Sequence, residues 1–324
     1  MITVRLATHA MGARFEFVLM GEREALLRAA GEEALDEITL WHRRLSIFDR
    51  ASTISAVNAR AAHEPVPVDA ETFELLDRCA ALTERTGGAF DITIGAAMAR
   101  WGFREASPLG RSTAPSLDDS VPRRRDEPAR PLLLNPAART IAFTSPGVAV
   151  DLGGVGKGWA LDRAASLLRD RGVAHALLHG GTSSAIAIGA PPGADGWRIA
   201  VRRPDGDDAS ALARVFLRDA ALGVSAPHGR TIRDAEGASR GHIIDPRTGE
   251  PTGGALLAAV VGPSATDADA WSTALIVLGE RPDSLPPSYA SIILAPDGEG
   301  RIQGDFHGII DASHGSNPAG GFQE

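Results

Sequence analysis

Apolar and polar positions alternate at the start of the chain: Thr3 and Arg5, then Phe15, Phe17 and Leu19, stand between small or polar neighbours. Period two marks a strand with one covered face, so the opening predicts a β-hairpin. From about residue 22 to residue 44 the period lengthens, with Ala25, Leu26, Ala29, Ala34, Leu35, Ile38 and Trp41 at helical spacing. A second helix is predicted over about 69–85, from an Asp69 cap to Gly87 and Gly88. Two more are predicted over about 155–171, closed by Gly172, and over about 267–279. Strand-like runs fall at 132–134, 140–143, 147–151, 174–178, 184–188, 197–202, 213–217, 221–224 and 256–261, with one last strand near 290–295.

Long helices among hairpin-like strands, with no internal repeat, predict an α+β architecture rather than a doubly wound parallel sheet. Residues 105–131 are rich in Pro, Ser, Asp and Arg and read as a loop, the best candidate for an internal seam. We expect residues 1–312 to form one domain and the Gly- and Ser-rich tail 313–324 to fray.

Composition narrows the function classes. The 324 residues are 44% hydrophobic and 23% charged, ordinary for a globular chain with ample core. A formal net charge of −8 argues against nonspecific nucleic-acid binding and against docking on an anionic membrane. Arg123, Arg124 and Arg125 form a short basic run flanked by acids, which reads as a solvated loop. Cys79 is the only cysteine and stands beside Leu75, Leu76 and Leu82 at helical spacing, so it reads as a buried thiol. No run approaches the roughly 18 apolar residues of a membrane span. Strand-like sequence begins at once, without the pattern of an export signal or lipid anchor. The expectation is a cytoplasmic protein as numbered, or a periplasmic one if an export signal has been removed.

The densest chemistry lies in Val148-Ala-Val-Asp151-Leu-Gly153-Gly154-Val-Gly156-Lys157-Gly158-Trp159-Ala-Leu-Asp162. An apolar run ends in an aspartate, turns through four glycines around one lysine and opens into a helical pattern. Free N–H groups at a helix start attract anions, and Lys157 adds a mobile positive charge. Asp151 stands where a Walker A loop needs its first glycine and Gly158 where it needs a hydroxyl, and no register gives G-x-G-x-x-G. The residues leave two readings open: a tight strand-to-helix turn, or a cradle for a phosphate-bearing ligand.

Two further constellations could carry chemistry. Asp269 and Thr273 stand four apart in a predicted helix, so both emerge on one face as hard oxygen donors of the kind Mg²⁺ and Ca²⁺ prefer. The alternative is a helix first turn whose acids stabilise the dipole, a role that suits Asp267. His242, in Gly241-His-Ile-Ile-Asp245-Pro-Arg247-Thr-Gly249, could serve as a general base near neutral pH or as a structural hydrogen-bonding residue. Asp245 suits the start of an Asp-Pro turn, and His179 and His228 read as bystanders.

The glycine loop resembles the signature of the ApbE family, the FAD:protein FMN transferases, and five more blocks match in the family's order. They are Met11-Gly-Ala-Arg-Phe-Glu-Phe17; Leu45-Ser-Ile-Phe48-Asp-Arg-Ala-Ser-Thr-Ile-Ser55 with Asn58; Thr86-Gly-Gly-Ala89-Phe90-Asp91-Ile-Thr-Ile-Gly95 with Trp101-Gly-Phe103; the His242 block; and Thr266-Asp267-Ala-Asp269-Ala-Trp-Ser-Thr273-Ala-Leu. The resemblance runs from about residue 8 to residue 280. It implies antiparallel-rich sheets flanked by helices, with flavin in a groove between two halves. It places Mg²⁺ on Asp269, Thr273 and the Gly154 carbonyl, and the catalytic base on His242. It implies flavin contacts from Met11, Phe48, Ala89, Phe90, Asp91, Asp151, Lys157 and Ile243. Phe48 offers an apolar face for stacking. Asp91 and Asp151 can accept hydrogen bonds, and Lys157 can reach a pyrophosphate. The implied activity is Mg²⁺-dependent transfer of FMN from FAD to a Thr or Ser hydroxyl of a target flavoprotein, with release of AMP. An FAD pyrophosphatase giving FMN and AMP, or a flavin-binding protein without turnover, are the alternatives. This chain departs from many members at Phe48, where a Tyr is usual, at Thr182-Ser183-Ser184 after Gly180-Gly181, and at Ser225-Ala226-Pro227.

Overall fold

The computed structural model describes residues 1–104, 131–204, 211–227, 231–233 and 237–304. The expected seam, apart from Pro131, the arginine run at 123–125, His228 and the tail at 313–324 lie outside the described residues.

The frame is an eight-stranded antiparallel sheet. Its strands run in the order Ile2–Ala10, Ala13–Gly21, His175–Gly180, Ser184–Ile188, Ala221–Ser225, Leu257–Gly262, Ala290–Leu294 and Gly300–Gln303. The opening hairpin turns through Met11 (φ 52°) and Gly12 (φ 69°), the two positive-φ residues that a tight hairpin turn requires.

Among the described residues six helices accompany the sheet: α1 (Glu24–Leu45), α2 (Thr53–Arg60), α3 (Ala70–Arg85), α4 (Gly95–Arg100), α5 (Gly156–Asp170) and α6 (Ala265–Leu278). α1 presents Leu27, Ala30, Ala34, Ile38, Trp41 and Leu45 inward, an apolar stripe at three- and four-residue spacing. It packs with α5 and α6 on one face of the sheet, where Trp41 and Trp159 meet edge to face at 5.4 Å. The opposite face is covered by a separate hairpin of Trp197–Arg202 and Ala211–Leu217. Central strands are therefore buried on both sides: Ala258 and Val260 face the helices, while Leu257, Ala259 and Val261 face the hairpin. That is why these strands read as continuous apolar runs.

The helix predictions hold to within two residues. Asp69 caps α3 by accepting from the Thr72 amide at 3.0 Å. Cys79 is fully buried, and burial pushes its thiol well above the usual range. Two expectations need correction, and two short helices were not foreseen. Residues 147–151 form no strand; Ala149 makes one isolated bridge to Ile94, because the Asn58 amide takes the place of a neighbour, donating to the Val150 carbonyl and accepting from its N–H. The strand at 290–294 is not the last, since Gly300–Gln303 follows as an exposed edge whose only large apolar residue is Ile302. Finally, α2 and α4, at eight and six residues, are too short for a periodic signal.

Candidate active site

Register brings one set of strand ends together. Ala10 pairs with Ala13, Phe15 with Gly180, Gly180 with Ser184, Ser184 with Gly223, and Ser225 with Ala258. The hairpin tip at Met11, the turn at Gly181–Ser183 and the end of the Ser225 strand thus share one edge of the sheet. The N-terminal halves of α5 and α6 arrive at the same place. Gly223 allows it from the sheet side: a Cβ there would stand 2.6 Å from the Asp269 amide nitrogen. Gly158 allows it from α5, where a Cβ would stand 2.8 Å from the Thr266 amide nitrogen. Bare backbone at both positions lets α6 approach closely.

Asp269 is the centre of this junction. It is only 6% exposed, its Oδ2 accepts from the Gly158 amide at 2.8 Å, and the Ser184 hydroxyl lies 2.8 and 2.9 Å from its two oxygens. Burial pushes its carboxyl up to about 7, with the Lys157 charge, the Ser184 hydroxyl and the Gly158 amide pulling the other way. One turn on, Thr273 donates to the Asp269 carbonyl at 3.1 Å and lies 3.2 Å from the Ser225 hydroxyl. Gly154 is adjacent: a Cβ on it would lie 3.4 Å from Thr273 Oγ1 and 3.5 Å from the Phe90 ring. Asp269, Thr273, Gly154, Phe90 and Lys157 are therefore neighbours. Among the described residues no three His, Cys, Asp or Glu side chains converge. The oxygen groups the junction brings together are one carboxylate and several hydroxyls, hard donors of the kind a cation completes with water and phosphate.

Asp267 does not share this face. Its carboxylate accepts from Arg78 Nε at 2.7 Å and from the Tyr289 hydroxyl at 3.0 Å, bracing the first turn of α6 against α3.

The amides at the start of α5 are mostly spent inside the protein. Val155 and Gly156 both donate to the Leu152 carbonyl, and Gly158 donates to Asp269. Attraction for an anion at this loop then rests chiefly on Lys157 rather than on a row of free N–H groups.

Asp151 follows the same logic. Arg104 Nε donates to its Oδ2 at 2.6 Å, Arg104 Nη2 to its Oδ1 at 3.3 Å, and the Gly153 amide to Oδ1 at 2.7 Å. Any contact from Asp151 to a ligand would compete with that pair. Asp91 closes a turn by accepting from the Thr93 amide and hydroxyl at 2.8 and 2.7 Å. Ala89, Phe90 and Ile243 are buried. Met11, at the hairpin tip, donates its amide to His42 Nδ1 at 3.2 Å. Phe48 is 61% exposed in the loop after α1, whose last residue, Leu45, would touch a Cβ on Gly156 at 3.5 Å. An exposed aromatic ring offers a flat apolar face to solvent.

His242 is half-buried. Its Nδ1 lies 3.3 Å from the Pro227 carbonyl, and its ring meets Phe103 edge-on with centroids 6.4 Å apart. A carbonyl can only accept, so a hydrogen bond here needs the proton on Nδ1. Gly241 makes the contact possible, since a Cβ there would stand 2.8 Å from the Pro227 carbonyl oxygen. The block is tied to α4 through Arg100 and Trp101, which both donate to the Gly249 carbonyl.

Sequence reasoning missed two participants. Ser184 was visible only as part of a departure from the family pattern, and Arg104 as the residue after Phe103. Neither has a spacing signal, because each meets its carboxylate across a long stretch of chain.

An antiparallel sheet with helices on one face and a carboxylate–hydroxyl junction at its edge defines an α+β protein with a polar site at the strand ends. The ApbE family model matches residues 11–284, and the chain belongs to the ApbE family. It is 30% identical over 303 residues to an FAD:protein FMN transferase of Treponema pallidum (strain Nichols), covering 89% of this chain and 82% of the relative. An FAD:protein FMN transferase of Klebsiella pneumoniae (strain 342) is 27% identical over 272 residues, or 83% of this chain and 77% of that one. The crystal structure of the ApbE protein of Thermotoga maritima matches with a TM-score of 0.79 at 26% identity, covering 93% of this chain and 97% of that one. The flavin transferase ApbE of Vibrio cholerae shares the fold, with a TM-score of 0.74 at 24% identity over 93% of this chain and 97% of that one.

Proposed function

We propose that this protein is an FAD:protein FMN transferase that uses Mg²⁺ and moves FMN from FAD onto a Thr or Ser hydroxyl of a target flavoprotein. The observation that carries the reading is the junction of Asp269, Thr273 and Gly154 beside Lys157, in a chain whose relatives bear that name.

Asp269, Thr273 and the Gly154 carbonyl would hold the cation, which when bound supplies a Lewis acid that offsets charge on phosphoryl oxygens. Lys157 places a positive charge where the FAD pyrophosphate would lie. Phe48 offers a face to the flavin ring, and Met11, Ala89, Phe90, Asp91, Asp151 and Ile243 shape the surroundings. His242, with Nδ1–H turned to Pro227, takes the acceptor hydroxyl proton on Nε2. The acceptor oxygen then bonds to the FMN phosphorus as the bond to AMP breaks, roughly in line, and AMP leaves. A hydroxyl is a poor nucleophile, which gives a positioned base its purpose.

Water in place of the acceptor would make the same residues an FAD pyrophosphatase. AMP release from FAD, measured against Mg²⁺ concentration, tests the cation site. Asp269→Ala should abolish the Mg²⁺-dependent rate yet leave FAD affinity within about tenfold, because stacking and hydrogen bonds remain. Full activity in that variant would refute the assignment.

A further inference from the structure

Asp162 lies on α5, one turn beyond Gly158, and its carboxylate is wholly taken up by the start of α6. It accepts from the Ser264 hydroxyl at 2.7 Å, the Ala265 amide at 2.8 Å, the Thr266 amide at 2.9 Å and the Thr266 hydroxyl at 2.6 Å. α6 already has its own cap, since Ser264 accepts from the Asp267 amide. Asp162 is thus a second cap supplied by another helix, and it brings a negative charge to the positive end of the α6 dipole.

Residues 158 and 162 share one face of α5. The Gly158 amide grips Asp269 while Asp162 grips the α6 N-terminus, so one helix holds the other at two points a turn apart. The proposed cation donors are divided across this joint: Gly154 precedes α5, whereas Asp269 and Thr273 belong to α6. Their separation depends on how α5 and α6 are docked. Arg78 reinforces the same end from α3, donating to Asp267 and to Ser264.

We propose that Asp162 is a positioning residue for the cation site, fixing α6 on α5 so that Asp269 and Thr273 stand at the correct distance from the Gly154 carbonyl. This rests on the cation reading above. Asp162 touches no ligand and acts through the start of α6.

The test uses the full chain, with FAD present and no acceptor, and follows Mn²⁺ binding by loss of the free-ion paramagnetic signal. Asp162→Ala should weaken Mn²⁺ at least tenfold at a temperature where the variant is folded. Asp162→Asn, which retains a side-chain acceptor, should weaken it less and carries the test if the Ala variant does not fold. Leu275→Ala, a cavity on the buried face of α6, is the control: it should lower Tm comparably and leave Mn²⁺ affinity unchanged. Unchanged Mn²⁺ affinity in both Asp162 variants, with binding intact in the unsubstituted protein, would overturn the positioning role alone. Absence of Mn²⁺ binding by the unsubstituted protein would overturn the cation reading itself. Equal losses in Leu275→Ala and Asp162→Ala would show that general destabilisation, not position, sets the affinity.

Discussion

Lys157 and His242 show how much a single side chain's neighbours decide. Because most amides at the start of α5 have internal partners, any attraction for phosphate at the glycine loop would rest chiefly on Lys157. Lys157→Met should therefore weaken FAD far more than riboflavin, and the loss should shrink as salt rises, since a partly solvated charge contact is screened. Flavin fluorescence titrations at low and high salt measure this; equal losses for both ligands would leave the loop a plain turn. His242→Ala should slow transfer by roughly 10²–10⁴-fold, the range for a general base. The acidic limb of the pH–rate profile should go with it, because that limb reports protonation of the base. A variant that keeps the limb would assign the base elsewhere.

Among elements, the joint between α5 and α6 matters most. α5 has an apolar stripe and α6 is buried nearly all round, so both read as helices from sequence, yet the contact that organises the junction is set by what is missing from Gly158. A Cβ there would stand 2.8 Å from the Thr266 amide nitrogen, against backbone that cannot step aside. Gly158→Ala should cost about 1–3 kcal/mol of stability by forcing the helices apart. It should also weaken cation-dependent activity, because the Gly158 amide would leave Asp269. Thermal denaturation alongside AMP release checks both, and a variant with unchanged Tm and activity would show that the joint has slack. That Asp269 and Thr273 share one face of α6 was legible because four residues is close to a helical repeat, whereas the cation role came from the family resemblance. Ser184 and Arg104 were not, since they meet Asp269 and Asp151 only once the sheet and loops are assembled. The supposed strand at 147–151 failed for a similar reason: backbone at Ile92–Gly95 pairs with one side and the Asn58 side chain with the other, a mixed pairing that leaves no period in the sequence.

Across the whole molecule, the sheet does two jobs. Its faces bury the core, helices on one side and the Trp197–Leu217 hairpin on the other, while one set of strand ends carries the polar site. Alternation and apolar runs made the class of fold readable, because every main-sheet strand except Gly300–Gln303 buries residues on at least one face. Strand order was not readable, since neighbours such as Ala13–Gly21 and His175–Gly180 are separated by most of the helical layer. Among the described residues no helix is long and apolar enough to cross a membrane. The central claim is transfer itself, and one reaction tests it. The protein, FAD and Mg²⁺ are incubated with a Thr-containing acceptor flavoprotein, and AMP is quantified while the acceptor's mass is measured. Our account predicts an acceptor heavier by one phosphoester-linked FMN and one AMP released per modification. AMP without a modified acceptor, or no AMP at all, would contradict it.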